Sequence, residues 1–335
     1  MESMPHPYES EWKTAIDAVI LASKICRSVQ TSIADDRMEK ADHSPVTIAD
    51  YASQAVICKT LRDVFPDDPI VAEEDAADLR TNENRESLLK TLREVQAAEI
   101  QADSEDVLHW IDLGNHQGTA SRFWTLDPID GTKGFLRKEQ FAVSLALIVD
   151  GTIQVAALAC PNLAAIDAWD NAKGVVFSAV RGQGAKLFPI DLPDVTPHAV
   201  RVSGTGKAPM ARFCESVESG HSSHSDSARI AEKLGIREPP VRLDSQAKYG
   251  IVARGQADIY LRLPTRKNYA EKIWDHAGGV LVVEEAGGRV TDIDGQPLDF
   301  SQGATLAKNR GVVVTNGLLH DQVVSAVQSE FQPPE

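Results

Sequence analysis

From residue 11 to residue 29 the apolar side chains of Ala15, Ile16, Val19, Ala22, Ile25, Cys26 and Val29 recur three and four positions apart. That period predicts a helix with one face against a core. It returns at Ala52, Val56, Ile57, Leu61 and Phe65 and stops at Pro66. Just ahead, Ser44-Pro45-Val46-Thr47-Ile48-Ala49-Asp50 predicts a helix start with Thr47 as its cap and Asp50 at its positive end. Beyond residue 66 the pattern shortens to strands. Pro69-Ile70-Val71-Ala72 is a short apolar run that ends at Glu73-Glu74-Asp75, while residues 141–149 and 152–159 are longer runs joined by Asp150-Gly151, a strong hairpin signal. Residues 174–180, 212–217, 257–263 and 312–314 predict further strands, and residues 225–234 and 318–327 predict helices. Val280, Leu281 and Val283 lie on another helix, which Gly287-Gly288 stops. Residues 76–122 break the rhythm: charged, with one weak helical pattern at Leu88, Leu89, Leu92 and Val95, they predict a peripheral excursion of part helix and part loop.

The length of 335 residues exceeds the roughly 250 to 300 that one core usually supports. Two packed lobes are therefore expected, residues 1–160 and 161–335, meeting near Cys160-Pro161-Asn162. A net charge of −15 argues against a general nucleic-acid binder, which would meet phosphates with clustered Lys and Arg. It leaves room for a small anionic substrate where a few local bases or metals reverse the sign. Four cysteines, Cys26, Cys58, Cys160 and Cys214, stand far apart without a CxxC pair, so reduced thiols are expected rather than a disulfide framework or a zinc knuckle. No basic-then-apolar leader opens the chain, and its strongest apolar run falls short of the ~20 residues of a membrane helix. The expectation is a cytoplasmic protein with neither nucleic-acid nor membrane partners, acting as a monomer.

Chemistry concentrates where these elements end. In Trp124-Thr125-Leu126-Asp127-Pro128-Ile129-Asp130-Gly131-Thr132-Lys133-Gly134-Phe135 an apolar run ends at Asp127, Pro128 is expected to end strand pairing, and Asp130 follows just before a glycine. Two like charges so close repel unless water or cations separate them. A hard divalent cation such as Mg2+, which takes oxygen ligands only, is the natural partner; a polar Asp-Gly turn is the plain alternative. Gly131, Thr132 and Lys133 offer N–H groups and a hydroxyl to a phosphate. Glu73 is either the first carboxylate beyond a strand or part of a solvated turn, and Asp275 in Trp274-Asp275-His276-Ala277-Gly278-Gly279 is a first-turn acid by default. His221 and His224 stand in a small polar loop. Lys248, Arg262, Arg266, Lys267 and Lys272 form either a phosphate-binding cluster or an ordinary basic surface. Singly each acid has a structural explanation. Together, Asp50, Glu73, Asp127, Asp130 and Asp275 lie at element ends that apolar segments can bring together.

The order and context of these acids resemble the lithium-sensitive, Mg2+-dependent phosphatases that include inositol monophosphatase and fructose-1,6-bisphosphatase. The likeness rests on Val46-Thr47-Ile48-Ala49-Asp50, Ala72-Glu73-Glu74-Asp75, Asp127-Pro128-Ile129-Asp130-Gly131-Thr132 and Trp274-Asp275-His276-Ala277-Gly278-Gly279, which together span most of the chain. Within that superfamily, Lys133 and Phe135, with Gly220-His221-Ser222-Ser223-His224 and Leu243-Asp244-Ser245-Gln246-Ala247-Lys248-Tyr249, are similar to the fungal and plant 3'(2'),5'-bisphosphate nucleotidases.

The resemblance implies a layered α/β/α/β/α sandwich of the inositol monophosphatase-like, sugar phosphatase type. An N-terminal α+β lobe would carry most of the metal ligands, and a C-terminal α/β lobe the nucleotide contacts and the last metal aspartate. It implies that Glu73, Asp127, Asp130, Asp275 and the carbonyl of Ile129 hold about two or three Mg2+ ions, and that Asp50 and Thr132 orient and deprotonate the attacking water. His221, Ser245, Lys248 and Arg262 would contact the nucleotide, with Thr132 and Asp275 also touching it. The implied reaction is removal of the 3'-phosphate of adenosine 3',5'-bisphosphate by in-line attack of a metal-activated water, with PAPS as a second substrate. An inositol phosphate phosphatase and a non-catalytic nucleotide sensor are the alternatives.

Overall fold

In β3 (Ala142–Val149) Val143, Leu145 and Leu147 turn to one side while Ala142, Ala146 and Ile148 turn to the other, and both sets are buried in separate cores. The strand is an unbroken apolar run because it is covered on both faces. The computed structural model describes residues 7–33, 44–166, 172–192, 195–217, 224–264 and 269–331. Among the described residues, β1 (Ile70–Ala72), β2 (Arg122–Asp130), β3, β4 (Thr152–Ala164), β5 (Lys173–Val180), β6 (Ala185–Pro189) and β7 (His198–Val200) form one sheet in chain order. The pairings are antiparallel except β1 with β2. Val149 faces Thr152, so Asp150-Gly151 is the whole hairpin loop; both residues have positive φ, 48° and 72°, the backbone that a tight two-residue turn needs.

Helices α1 (Glu9–Ser32) and α2 (Ser44–Val64) cover one face of this sheet. α7 (Ala247–Ala253) and α8 (Ala277–Glu285) cover the other, and are themselves covered by a second sheet. Both are buried throughout or nearly so, as a helix apolar on every side must be. The second sheet has the order β11 (Arg289–Thr291), β12 (Val312–Thr315), β10 (Ile259–Arg262), β8 (Phe213–Glu215), β9 (Val241–Arg242). Its far face packs on α6 (His224–Leu234) and α9 (His320–Phe331) around Phe213, Ile230, Ile259, Val313, Val323 and Val327. The layers therefore run helix, sheet, helix, sheet, helix, the sandwich expected.

Several local expectations change. α2 begins at Ser44, so Thr47 lies inside its first turn and is not its cap. Pro45 suits that early position, because an N–H there has no intrahelical acceptor to lose. β2 runs through Pro128 to Asp130; the proline is accommodated at a break in register, not at a strand end. The expected boundary at residue 160 falls within β4, and the first sheet continues to Val200.

Residues 76–122 are part helix and part loop, as expected, and they are tied to the first sheet. They hold α3 (Arg85–Ala97) and α4 (Ser104–Asp112), the second started by a reciprocal cap in which Asp103 accepts from the Asp106 N–H at 3.0 Å and Asp106 accepts from the Asp103 N–H at 2.9 Å. The segment also braces β1: the Gly114 carbonyl accepts from the Ala72 N–H at 2.8 Å, and the His116 N–H donates to the Ile70 carbonyl at 3.1 Å.

Candidate active site

Parallel pairing of β1 and β2 sets Ala72 beside Leu126, so Glu73, just past the end of β1, and Asp127, still paired with Ser144 on β3, lie at the same level. Between Asp127 and Asp130 the register on β3 moves only from Ser144 to Ala142, which leaves one extra residue on β2. Without it, residues three apart would point to opposite faces; the bulge brings both aspartates to one cavity. Ser53 Oγ on α2 donates to the Pro128 carbonyl at 3.0 Å and fixes the bulge from behind. Gln54 holds the neighbouring turn, its Oε1 accepting from the Glu74 N–H at 3.1 Å. Gly131 then takes φ 90° ahead of the short helix α5 (Thr132–Leu136), and a Cβ there would lie 2.8 Å from Ser245 Cβ.

The opposite wall comes from the second half of the chain. Ser245 has φ 70°, rare for a residue with a side chain, and it is followed by Gln246, whose N–H donates to Asp130 Oδ2. Lys248 is only 4% exposed; its Nζ donates to the Ser245 carbonyl at 2.9 Å and stands 5.2 Å above the Tyr260 ring. Arg262, two residues along β10 from Tyr260 and so on the same face, has Nε 3.0 Å from Glu271 Oε2 and a second nitrogen 3.5 Å from Asp275 Oδ2. Glu271 also faces His276 Nε2 at 3.3 Å, and Tyr249 Oη meets His276 Nδ1 at 2.7 Å. Asp244 is paired with Arg137.

These walls enclose a cavity of about 340 Å³. Of the residues expected at the site, Glu73, Asp127, Ile129, Asp130, Thr132, Ser245, Lys248, Arg262 and Asp275 line it. Asp50 is buried on α2 outside that lining, with Glu74 and Glu73 as its charged neighbours. His221 lies outside the described residues. Ser216, Tyr260 and Tyr269 also line the cavity and were not singled out by sequence. Alternation from Arg262 could have found Tyr260; nothing comparable marks Ser216 or Tyr269.

Crowded acids dominate the electrostatics. Burial, then the charges of Glu73, Asp130 and Asp275, holds Asp127 well above the usual carboxylate range. Glu73 is solvent-accessible, yet it stands in a recess where protein displaces bulk water; that, with Asp275, Glu74 and Asp130, pushes it up to about 8. Asp275 rises to about 6 because burial outweighs the opposing pull of Arg262 and His276. Burial followed by Glu74 and Glu73 holds Asp50 well above its ordinary value. Burial lowers Lys248, with Asp130 pulling the other way.

Among the described residues, the buried Asp127 Oδ1 has no hydrogen-bond partner. An orphaned carboxylate oxygen beside three further acids is the environment a hard cation would complete, and every donor here is oxygen. Glu271, Asp275 and His276 also bring ligand-type atoms within 4.8 Å of one another. That triad is already engaged, because Arg262 pairs with Glu271 and Tyr249 with His276.

The inositol monophosphatase family matches residues 8–332. A 3'(2'),5'-bisphosphate nucleotidase of Emericella nidulans is 44% identical over 345 residues, covering 96% of this chain and 98% of that protein. One from Schizosaccharomyces pombe is 41% identical over 340 residues, covering 95% of each, and one from Oryza sativa is 43% identical over 348, covering 98% and 96%. Among solved structures, the inositol monophosphatase from Anabaena superposes with a TM-score of 0.61 at 22% identity, covering 98% of both chains. That of Thermotoga maritima gives 0.61 at 20%, covering 96% and 98%. At such identities the structural likeness speaks for the fold alone.

Proposed function

The chain belongs to the inositol monophosphatase family, and from that membership we propose that it is a 3'(2'),5'-bisphosphate nucleotidase, as its relatives are named. It removes the 3'-phosphate of adenosine 3',5'-bisphosphate to give 5'-AMP and inorganic phosphate, and acts on PAPS as well. The observation that carries this reading is the division of one cavity between a cluster of acids and two bases, the buried Lys248 and the partly buried Arg262.

Glu73, Asp127, Asp130, Asp275 and the carbonyl of Ile129 offer the all-oxygen donor set that Mg2+ prefers, enough for about two or three ions. When bound, Mg2+ neutralises the crowded acids, acidifies the attacking water and stabilises charge on the leaving 3'-oxygen. Asp50 receives the proton of that water and Thr132 orients it; Asp50's burial next to Glu73 supports the assignment. Lys248 and Arg262 bind the 5'-phosphate, while Ser245, with His221, contacts the nucleotide. Four buried, unbridged thiols support a reducing compartment, the cytoplasm. No helix among the described residues is long and apolar enough to cross a membrane.

The test is phosphate release from adenosine 3',5'-bisphosphate, PAPS, 5'-AMP and inositol 1-phosphate, each with and without Mg2+. Mg2+-dependent release from the first two alone is expected. Release from the inositol phosphate alone would overturn the nucleotide reading, and binding of the bisphosphate without turnover would leave only a sensor.

A further inference from the structure

Gln246 is 2% exposed and touches four separate elements. Its main-chain N–H donates to Asp130 Oδ2 at the β2 bulge. Its side-chain Oε1 accepts from Ser144 Oγ on β3 at 3.0 Å and from the Gly279 N–H on α8 at 3.3 Å. Its Nε2 donates to the carbonyl of Trp274 at 2.9 Å, the residue immediately before Asp275. The amide has no freedom to turn over. The Gly279 N–H can only donate and must face Oε1, and the Trp274 carbonyl can only accept and must face Nε2.

We infer that Gln246 is a positioning residue for cation binding: its backbone holds Asp130, its side chain holds the segment carrying Asp275, and together they set the separation of these two carboxylates. The inference rests on the reading that both acids hold Mg2+. Left alone, Asp130 and Asp275 repel, since both carboxylates face the same cavity. Something uncharged has to hold them at a fixed spacing. A glutamine suits the task because it donates and accepts at once, where glutamate could not donate to Trp274 and methionine could do neither.

The surrounding backbone is shaped for the same contact. Ser245, at φ 70°, turns the following N–H toward Asp130, and Gly131 leaves no room for a Cβ against it. A Cβ on Gly278 would lie 2.4 Å from Ser144 Oγ, so only a glycine lets the start of α8 approach the Ser144–Gln246 pair. Outer groups that orient metal ligands typically change metal affinity by 10- to 100-fold when removed.

The decisive experiment measures Mn2+ binding to the whole protein by the electron paramagnetic resonance signal of the free ion, with thermal melting alongside. Wild type and Asp130→Asn come first: identical binding by the two would remove the cation assignment itself, and this inference with it. Given a site that Asp130→Asn abolishes, Gln246→Met should weaken it about 10- to 100-fold, and kcat should recover at saturating Mn2+. A folded Gln246→Met protein with wild-type Mn2+ affinity overturns the inference, whatever its melting temperature, because a merely structural residue would shift melting alone. Should that variant not fold, Ser144→Ala decides. It removes one bond to Oε1 and keeps the packing, so a smaller weakening is expected and wild-type affinity overturns the inference.

Discussion

Arg262 Nε stands 3.0 Å from Glu271 Oε2, so the arginine of the cavity is aimed from behind before any anion arrives. Burial pushes Glu271 up, yet His276 and Arg262 hold it down to about 2, and it therefore stays ionised throughout the neutral range. Arg262→Lys keeps the charge but loses the planar fork that meets carboxylate on one side and phosphate on the other. We expect KM for the bisphosphate to rise about tenfold with kcat little changed, the pattern of a lost ground-state contact. Initial-rate kinetics at saturating Mg2+ decide, and an unchanged KM would remove Arg262 from substrate binding.

Asp127 offers a test in which stability and activity move in opposite directions. Its carboxyl is buried, without a partner at Oδ1 among the described residues, and its own proton affinity is raised by burial and then by Glu73, Asp130 and Asp275. Asp127→Asn should stabilise the protein in EDTA by on the order of 1 kcal/mol through relief of repulsion. The same change should reduce the melting increment given by Mg2+ and lower turnover by about 10³-fold, the rate equivalent of several kcal/mol of lost charge stabilisation. A variant that is both less stable in EDTA and fully active would contradict the cation site.

The acids also set a pH dependence. Glu73 rises from 4.5 to about 8 and Asp275 from 3.8 to about 6 on folding, so the folded chain retains protons that the unfolded chain has released. Their contribution is complete below the unfolded values and is lost as pH rises through about 6 and then about 8. Without divalent cation, the melting temperature should fall between pH 5 and pH 8. Mg2+ should raise it more at pH 8 than at pH 5, and calorimetry with and without EDTA would reject this on finding one increment at both.

His320 has the opposite sign. Buried between Thr291 Oγ1 and Thr315 Oγ1, each at 3.0 Å, it is lowered from 6.5 to about 4 by burial and then by Arg289. A depressed base contributes stability above pH 6.5 and loses it as pH falls through about 4. Measured in Mg2+, so that the cavity acids are neutralised, His320→Gln should give a shallower loss of stability between pH 6.5 and pH 4 than the wild type. Parallel curves would place the acid sensitivity elsewhere.

What could be read from sequence were the discontinuities. Glu73, Asp127, Asp130 and Asp275 each follow an apolar run or open a helix, and that jump in polarity is visible without coordinates. The bulge was not, since Pro128 suggested a strand end where the fold uses the proline within a register break. Lys248 reads as either part of a phosphate-binding cluster or an ordinary surface base, and the packing of α7 buries it with its Nζ over the Tyr260 ring. Gln246 sits in a polar string that resembles a loop, and its partners Ser144 and Asp130 lie more than a hundred residues away. Local pattern carries no trace of such contacts. The Asp103 and Asp106 pair, by contrast, was a readable helix start that the charge of its surroundings obscured.

Every strand of the first sheet precedes residue 201, while Lys248, Arg262 and Asp275 follow it. Because chains fold from the N-terminus as they are made, at roughly 5 to 20 residues per second, Glu73, Asp127 and Asp130 emerge on the order of ten seconds before Arg262. The nascent protein thus passes through an interval in which its acids lack the countercharge of Lys248 and Arg262 and depend on Lys133, protons or free cations. Arrival of the second sheet ends that interval, and only the finished chain can hold an anion where the half-made one would repel it.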